Sequence, residues 1–431
     1  MNQLFQDRAK LYFAEKANEF LNLLEEAPVQ GLFLNTEKAD REEILKEIDF
    51  PIQESPFTSE SFCHFHENIG KTKAYELGLI YPQEIAASLS TKYIDPNDVR
   101  LVVDLCAAPG GKTINVMNRI GKDAICICND ILHNRAQILS SNLERLGLDR
   151  TIVTSRKVSD LAGSLEGKAD LVILDAPCSG EGMIRKYPEI LDEYSLKNIN
   201  DLASIQKELL EHAYRILKEG GQLVYSTCTY APEEDEEQII SFLKCHPDMN
   251  LFVLPDLGNP LLKGTIKLSP LDHTEGQFVA IMNKEGKKQE TSLKVLKPIR
   301  EMIVDDFIRK NLCIDHYYLY KSRDRFYLSL IPLPDLGQGV LKYGIHAGEV
   351  VNKRFEPSHC LYRANSLRGR FKSTLELNDE EYERFCEGLE LKFPHENGYY
   401  QVTYHKHALG FGKLSNGVLK NKYPKGLRRV L

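Results

Sequence analysis

Short apolar runs alternate with amphipathic stretches through the middle of the chain, between about residues 86 and 283. The runs are rich in valine, isoleucine and leucine, which is typical of strands buried on both faces; they lie at 101–103, 124–128, 152–153, 171–174 and 223–225. Residues 201–217 place apolar side chains at helical spacing, and Gly220-Gly221 is predicted to end that helix. This alternation predicts an α/β domain with a largely parallel sheet that is covered on both faces.

The flanking segments follow other patterns, and 431 residues are enough for several domains. Residues 1–85 begin with a helical pattern and are assigned to a small N-terminal α+β domain that positions the substrate. Residues 284–290 are polar and predict a linker after the central domain, 86–283. We expect a small α+β module over 291–360 and a basic module over 361–431.

Composition narrows the class of protein. A hydrophobic content of 42% and a charged content of 27% are those of an ordinary soluble protein. No apolar run approaches the ~18 residues of a membrane span, and the first residues do not resemble an export signal. The ten cysteines are scattered rather than set in a disulfide framework. We therefore expect a cytoplasmic protein with reduced thiols and no membrane partner.

The charge is unevenly distributed. The net charge is −7, yet residues 399–431 contain seven lysines and arginines and no acidic residue, which leaves −14 on the rest. A basic end on an acidic body suggests a local phosphate-contacting surface, since counterion release depends on clustered cations. Charge alone allows a solvated basic tail equally well.

A glycine turn, Asp-Leu-Cys-Ala-Ala-Pro-Gly-Gly-Lys-Thr at 104–113, follows the first strand of the central domain. A P-loop would require a glycine where this chain has Cys106, and the dinucleotide fingerprint is also absent. An S-adenosylmethionine site fits better, because that cofactor needs close backbone approach and a helix N-terminus. Asp130 follows the next strand, 26 residues after Asp104, where an acidic residue can bind ribose hydroxyls.

Two cysteines, Cys178 and Cys228, follow two other strands of the predicted sheet. Because ligands bind at the carboxyl ends of parallel strands, we expect the two thiols to converge on one cleft. A thiolate that adds to C6 of a pyrimidine activates C5 for methylation, and a second thiol can assist the later elimination. Asp175 is placed to hold the pairing edge of a cytosine.

The other cysteines are predicted to be small buried hydrophobic residues: Cys126, Cys128, Cys245, Cys313, Cys360 and Cys386. Cys106 lies in the glycine turn and is either a site residue or a packing residue. The spacing of Cys63, His64 and His66 matches no zinc pattern, so no metal site is predicted.

Three segments, 104–113, 175–183 and 225–236, together resemble the signature segments of the Nol/Nop/Sun family of RNA (cytosine-5) methyltransferases. The resemblance implies a Rossmann-like class I methyltransferase domain with a largely parallel, seven-stranded sheet. It also implies that the domain uses S-adenosylmethionine and acts on RNA rather than DNA. It further implies that Cys228 is the nucleophile and that Cys178 promotes product release.

Matching residue by residue also implies the remaining roles. Asp175 would orient the target base, the glycine turn with Lys112 would hold the methionine part of the cofactor, and Asp130 would bind its ribose. The candidate catalytic residues are Cys228, Cys178, Asp175 and Lys112. The candidate cofactor residues are Cys106, Ala107, Ala108, Pro109, Gly110, Gly111, Lys112, Asp130, Arg135 and Asp175.

Residues 354–359 and 420–428 look like the C-terminal region of the bacterial RsmF-like branch, which modifies small-subunit ribosomal RNA. That branch ends in a PUA-like RNA-binding module, which would explain the basic end. We therefore expect a monomeric enzyme that forms 5-methylcytosine in 16S ribosomal RNA, free or within the small subunit. Alternatives are a tRNA-directed enzyme and a non-catalytic RNA-binding assembly factor. A P-loop NTPase is a third alternative, which Cys106 disfavours because a P-loop would have a glycine at that position.

Overall fold

The computed structural model describes residues 2–288 and 293–429. These residues contain twenty-two strands and thirteen α-helices. The strands are β1 (Gly31–Leu34), β2 (Ile52–Glu54), β3 (Ser61–His64), β4 (Ile80–Pro82), β5 (Leu101–Asp104), β6 (Ile125–Asn129), β7 (Thr151–Thr154), β8 (Ala169–Asp175), β9 (Leu217–Thr227), β10 (Met249–Phe252), β11 (Ile266–Leu268), β12 (Gln277–Lys284), β13 (Tyr318–Ser322), β14 (Arg325–Ser329), β15 (Val340–Tyr343), β16 (Ile345–Val351), β17 (Arg354–Pro357), β18 (Thr374–Leu377), β19 (Leu391–Lys392), β20 (Gly398–Tyr404), β21 (His407–Ser415) and β22 (Val418–Asn421).

The helices alternate with these strands in the central domain and flank the sheets elsewhere. They are α1 (Gln3–Phe13), α2 (Ala17–Leu23), α3 (Arg41–Lys46), α4 (Lys73–Glu76), α5 (Leu89–Lys92), α6 (Gly111–Met117), α7 (His133–Leu146), α8 (Val158–Ser164), α9 (Leu196–Ile216), α10 (Glu236–Cys245), α11 (Met302–Asn311), α12 (His359–Arg363) and α13 (Asp379–Cys386). Among the described residues, none of these helices combines the length and apolar character needed to span a bilayer.

The central sheet confirms the predicted α/β domain. Its strand order is β10-β12-β9-β8-β5-β6-β7. β9, β8, β5, β6 and β7 are parallel to one another, and β12 is antiparallel to both of its neighbours, β9 and β10. These seven strands come from the central part of the chain, and β11 and β15 extend the sheet to nine. β5, β6 and β7 are buried along their whole length, because helices cover both faces of the sheet.

The helix before β9 differs from its prediction at both ends. It begins at Leu196 rather than near residue 201, because the Ser195 hydroxyl accepts a hydrogen bond from the Asn198 amide and caps it. It ends at Ile216, and Gly220-Gly221 lie inside β9 rather than at the end of the helix. The turn of the chain therefore occurs at the helix–strand junction.

One strand from beyond the predicted linker joins the central sheet. β15 pairs antiparallel with β7, so that Tyr343 lies opposite Ile152. The neighbouring strands form a separate antiparallel sheet, β13-β14-β16-β17, within the predicted module 291–360. β12 continues to Lys284, the first residue of the predicted linker, while residues 289 and 290 of that linker lie outside the described residues.

The two ends of the chain share an apolar core. The N-terminal sheet has the order β2-β3-β1-β4, and the C-terminal sheet has the order β18-β20-β21-β22-β19. Leu32 and Ile44 of the first lie in the same buried cluster as Leu375, Val402 and Leu419 of the second. The N-terminal and C-terminal domains are therefore packed against each other.

The predicted N-terminal helical segment is confirmed, but it packs on the central domain. Phe13 and Phe20 stack with ring centroids 3.9 Å apart, and both contact Tyr230, just beyond Cys228. The Arg8 guanidinium lies 2.5 Å from a carboxylate oxygen of Glu233. The first two helices thus support the loop that follows β9.

Cysteine burial follows the prediction in part. Cys126, Cys128 and Cys386 are buried and Cys360 is half-buried. Cys245 and Cys313 are exposed, so the prediction is wrong for these two. Cys245 is the last residue of α10, and Cys313 lies just beyond α11, where side chains project away from the core.

Candidate active site

The two thiols lie side by side at the carboxyl edge of the central sheet. β8 and β9 are parallel neighbours, and Asp175 lies opposite Ser226 in their register. Cys228 follows the last residue of β9 directly, and Cys178 lies three residues after the last residue of β8. Cys178 Sγ is 3.4 Å from Cys228 Sγ. The Cys228 amide also points at Cys178 Sγ at 3.4 Å. The two thiols therefore lie together at the ends of β8 and β9, as expected from the sequence.

The loops that carry the cysteines are cross-linked by buried hydrogen bonds. The Glu181 carboxylate accepts from the Tyr230 amide at 2.8 Å, from the Thr229 hydroxyl at 3.0 Å and from the Tyr194 hydroxyl. The Gly182 amide donates to the Cys228 carbonyl at 2.8 Å. Because both loops lose freedom together, the distance between the two thiols is held by the fold rather than by the cysteines themselves.

A second buried carboxylate ties the first thiol loop to α9. Glu234 Oε2 accepts from the Ser179 amide at 2.9 Å and from the Gln206 side-chain amide at 2.8 Å. The same Gln206 amide donates to the Pro177 carbonyl at 2.8 Å. The acidic run that follows Cys228 in the sequence is therefore largely structural.

The rest of that acidic run is neutralised by one buried lysine. Lys267 Nζ lies 3.0 Å from an oxygen of Asp235 and 2.7 Å from one of Glu236, and it donates to the Tyr230 carbonyl at 3.0 Å. All three charged side chains are buried. This ion cluster anchors the segment downstream of Cys228 to β11.

Asp175 and Lys112 form an ion pair beside the thiols. Lys112 Nζ lies 2.8 Å from Asp175 Oδ2, while the Ser226 hydroxyl donates to Asp175 Oδ1 at 2.9 Å. The Asp175 side chain is 37% exposed and that of Lys112 10%, so the carboxylate faces the cleft. Burial lowers the pKa of Lys112, but the Asp175 carboxylate outweighs it, and the net pKa is raised. Lys112 is thus a fixed positive charge.

The two thiols are not electrostatically equivalent. The hydrogen bond to Cys228, and then burial, raise the pKa of Cys178 well above its ordinary value. Cys178 therefore keeps its proton and can donate it toward Cys228 Sγ. A negative charge on Cys228 is among the influences that raise the pKa of Lys112, so the ammonium and Cys228 interact.

The glycine turn joins β5 to α6 as predicted. Gly110 has a φ of 119°, a left-handed conformation that other residues rarely adopt, and α6 begins at Gly111. Arg135 Nη2 donates to the Ala108 carbonyl at 2.8 Å and so holds the turn from α7. Burial and the nearby Asp104 and Asp175 charges raise the pKa of Cys106, which therefore remains a neutral thiol.

Asp104 supports the turn from within the sheet. It is completely buried, and its Oδ2 accepts from the Thr113 hydroxyl at 2.7 Å. Burial raises the pKa of Asp104 to about 7, although the Thr113 hydrogen bond opposes the rise.

Asp130 lies at the end of β6 with one oxygen unused. Its Oδ1 accepts from the Leu132 amide at 3.0 Å, and Arg135 Nη1 lies 3.6 Å from Oδ2. Among the described residues, the buried Oδ2 has no hydrogen-bond donor. The carboxylate can therefore accept a hydrogen bond from a hydroxyl group beside it.

A cavity of about 470 Å³ runs from the thiol pair to Asp130. It is lined by Leu105, Cys106, Ala108, Asp130, Ile131, Arg135, Lys157, Val158, Ser159, Asp175, Ala176, Pro177, Cys178, Ile205, Glu208, Leu209, His212 and Cys228. Seven of the residues selected from the sequence are in this lining. The other candidates, Ala107, Pro109, Gly110, Gly111 and Lys112, lie behind it in the turn and α6.

Sequence reasoning missed the wall that α9 contributes. Ile205 is 48% exposed, and it lines the cavity together with Glu208 and His212. Ala213 and Ile216 of the predicted apolar stripe are buried, and Leu209 packs against the core while also lining the cavity. Ile205, expected in the same stripe, faces the cavity instead. The signal was present as apolar residues at i and i+4, but the pattern does not distinguish a cavity wall from a core.

A parallel-rich sheet with a glycine turn and paired strand-end cysteines at its carboxyl edge defines a methyltransferase-type α/β domain, and known proteins agree. Residues 91–283 match the family model described as 16S rRNA methyltransferase RsmB/F, and residues 372–429 match that of the methyltransferase RsmF PUA domain. The chain is 28% identical over 394 residues to the ribosomal RNA small subunit methyltransferase F of Salmonella agona and that of Salmonella typhi, covering 84% of this chain and 80% of each relative.

Solved structures of methyltransferases resemble this chain in fold. A methyltransferase homolog protein from Pyrococcus horikoshii is 31% identical with a TM-score of 0.59, over 66% of this chain and 95% of that one. NSun6 from Pyrococcus horikoshii with SFG, at 22% identity and a TM-score of 0.57 over 65% of this chain and 98% of that one, supports the fold. The chain belongs to the RsmB/F family of methyltransferases, with a C-terminal PUA domain. The resemblance noted in the sequence is confirmed. Membership in this family argues against the alternative of a P-loop NTPase.

Proposed function

We propose that this protein is an S-adenosylmethionine-dependent methyltransferase that forms 5-methylcytosine in 16S ribosomal RNA with Cys228 as covalent nucleophile. The observation that carries the proposal is the 3.4 Å thiol pair at the end of a cavity that continues to Asp130. Family membership supports the reaction class, and the names of the Salmonella relatives support ribosomal RNA. We therefore propose that the protein acts in the cytoplasm, where it would encounter ribosomal RNA.

The raised pKa of Cys178 and the family resemblance support the assignment of the two thiol roles. Cys228 adds to C6 of the cytosine, forms a C–S bond and makes C5 nucleophilic. After methylation at C5, the C5 proton is lost to solvent and the C6–S bond breaks, which restores the C5–C6 double bond and returns the electron pair to the Cys228 sulfur. Cys178 keeps its proton and donates a hydrogen bond to the departing Cys228 thiolate. The Lys112 ammonium stabilises the same negative charge.

Asp175 is proposed to hold the target base. Its carboxylate faces the cleft, while Ser226 and Lys112 fix its position from behind. A carboxylate can accept a hydrogen bond from the amino group of cytosine, which uracil lacks.

The cavity fits S-adenosylmethionine. The unused Asp130 Oδ2 is placed to accept from a ribose hydroxyl, and the glycine turn offers backbone at the N-terminus of α6. Ile131, Val158 and Leu209 supply apolar walls for a flat ring. When bound, the cofactor supplies the methyl group. Asp130, Arg135 and residues 106–112 are the groups that we propose hold it.

The C-terminal module is proposed to bind the RNA. The PUA match covers 372–429, which includes the basic stretch noted in the sequence. The match to the RsmF form of this domain favours ribosomal RNA over tRNA as the substrate. A monomer remains the prediction for the oligomeric state.

The test uses methyl-labelled cofactor, 16S ribosomal RNA and denaturing gels. Cys178→Ala is expected to accumulate a protein–RNA adduct, because release is impaired, whereas Cys228→Ala should form neither adduct nor product. Cys245→Ala, at an exposed cysteine, is the matched control and should behave as wild type. An adduct with Cys228→Ala alone would reverse the two roles, and no transfer by the wild type would reject the proposal.

A further inference from the structure

A second cavity, of about 270 Å³, lies where the N-terminal and C-terminal domains meet. Its walls come from the turn at Lys38, from α12 and the segment after it, and from β18, β20 and β21. We call it the interdomain pocket. Its charged and titratable lining residues are Lys38, Arg363, Arg368, Glu376, Lys406 and His407.

The central feature of the interdomain pocket is an unpaired buried amine. Lys38 is 4% exposed, and among the described residues its Nζ has no hydrogen-bond acceptor. Burial, followed by the charges of Arg363, Arg145 and Arg368, holds the pKa of Lys38 well below its usual range. Cations therefore surround this amine, where a stabilising carboxylate would be expected for a buried lysine.

The neighbouring arginines are fixed in place by backbone carbonyls. Arg363 donates to the carbonyls of Leu409 at 3.0 Å and Glu76 at 2.7 Å, so it bridges both domains without neutralising its charge. Arg368 Nη1 donates to the Lys38 carbonyl at 2.7 Å. The positive charge in the pocket is thus built into the fold.

The lining also includes one carboxylate and one buried histidine. Glu376 accepts from the Thr403 hydroxyl at 2.6 Å and from the Lys406 amide at 3.0 Å, and both of these residues also line the pocket. Its single negative charge is outnumbered by the cations Arg363, Arg368 and Lys406 of the same lining. Burial and the nearby Lys38 and Arg368 charges lower the pKa of His407 to about 4, so its imidazole is neutral. The charge balance of the pocket therefore remains positive.

We propose that the interdomain pocket binds a phosphate group, with the Lys38 amine as its buried ligand. A phosphate supplies several acceptor oxygens and negative charge, which are what the Lys38 amine and its arginine neighbours lack. The group could belong to the backbone of the RNA substrate or to a free anion. If the phosphate group belongs to RNA, the inference rests on the proposed function; if it is a free anion, the inference does not.

The first test measures protection by inorganic phosphate. Thermal unfolding of the full chain is followed with added potassium phosphate, against potassium chloride of equal ionic strength. Phosphate is expected to raise the melting temperature of the wild type and of Lys392→Met, a control at an exposed lysine in β19 of the C-terminal sheet. Lys38→Met should lose this shift. Without phosphate it should melt at or above the wild-type temperature, because methionine removes an unpaired buried amine.

The second test distinguishes the source of the phosphate. The affinity for a 16S ribosomal RNA fragment is measured against salt concentration. Loss of one contact to single-stranded RNA lowers the slope of log affinity against log salt by about 0.7. If Lys38→Met lowers the slope and Lys392→Met does not, the phosphate belongs to RNA. If the slopes are equal but phosphate protection depends on Lys38, the ligand is a free anion.

The proposal is overturned if Lys38→Met changes neither the phosphate shift nor the salt slope. A Lys38→Met chain that melts well below the wild type in chloride would also overturn it, since that result assigns the amine a structural role. Failure of the proposed function would appear instead as absent methyl transfer. Phosphate protection can be measured without it, so the two failures are distinguishable.

Discussion

Glu181 is the residue on which the geometry of the thiol pair depends most directly. Its buried carboxylate accepts from the Tyr230 amide, the Thr229 hydroxyl and the Tyr194 hydroxyl. Tyr230 and Thr229 are completely or almost completely buried, and both follow Cys228 directly. Replacing Glu181 should therefore disturb both the fold and the position of the nucleophile.

The cost of Glu181→Ala follows from the donors that it leaves unpaired. The Thr229 hydroxyl retains Ser179 Oγ at 2.7 Å, but the Tyr230 amide and the Tyr194 hydroxyl lose their acceptor. Each buried donor without a partner costs ~1–3 kcal/mol, which sums to about 2–6 kcal/mol of unfolding free energy. A nucleophile displaced by about 1 Å loses up to ~100-fold in rate.

Glu181→Gln is the matched control. The amide oxygen can serve Tyr230 and Thr229, while the amino group can donate to the Tyr194 oxygen, so this variant should remain within about 1 kcal/mol of the wild type. Urea unfolding followed by circular dichroism measures the stability, and labelled methyl transfer measures the rate. The reasoning is refuted if Glu181→Ala unfolds at the wild-type urea concentration, or if Glu181→Gln is equally destabilised.

Three further perturbations test other parts of the site. Asp104→Asn should gain stability relative to the wild type as pH rises from about 4 to about 7, because the raised pKa of Asp104 means that ionisation of this carboxyl group opposes folding. The gain in unfolding free energy is about 4 kcal/mol at most, and urea midpoints across that pH range measure it. A stability difference that does not change with pH would contradict the prediction. Gly182→Ala should lower methyl transfer, because its Cβ would lie 2.4 Å from Gly276 Cα, whereas Gly121→Ala, with no neighbour within 4 Å, should be silent in the same assay. Lys267→Met should lose about 3–5 kcal/mol of unfolding free energy by leaving two carboxylates buried without a cation, and an unchanged melting curve would show that the cluster is not ionised.

Much of the site could be predicted because strand ends are visible in the sequence. Runs of β-branched residues located β5, β6, β8 and β9, and parallel strands place their carboxyl ends on one edge. That rule was enough to bring Cys178, Cys228 and Asp175 together. The largely parallel character of the central sheet followed from the same alternation, whereas the number of its strands was implied by the family resemblance.

Other features could not be predicted, because they depend on contacts between distant segments. β15 joins the central sheet from the module beyond the linker, although its residues carry no mark of that pairing. The cavity wall on α9 reads as an ordinary apolar stripe. The exposure of Cys245 and Cys313 depends on where helices end relative to the core.

The sequence by itself determined the order of strands and helices, the chemistry at three strand ends and the family. It did so because periodicity and strand-end motifs are local properties of the chain. Only the tertiary structure decided the raised pKa of Cys178 and the isolation of Lys38. Both depend on burial and on charges brought from residues hundreds of positions apart, such as Lys38 and Arg363, and a buried charge has no signature in its own neighbourhood of the sequence.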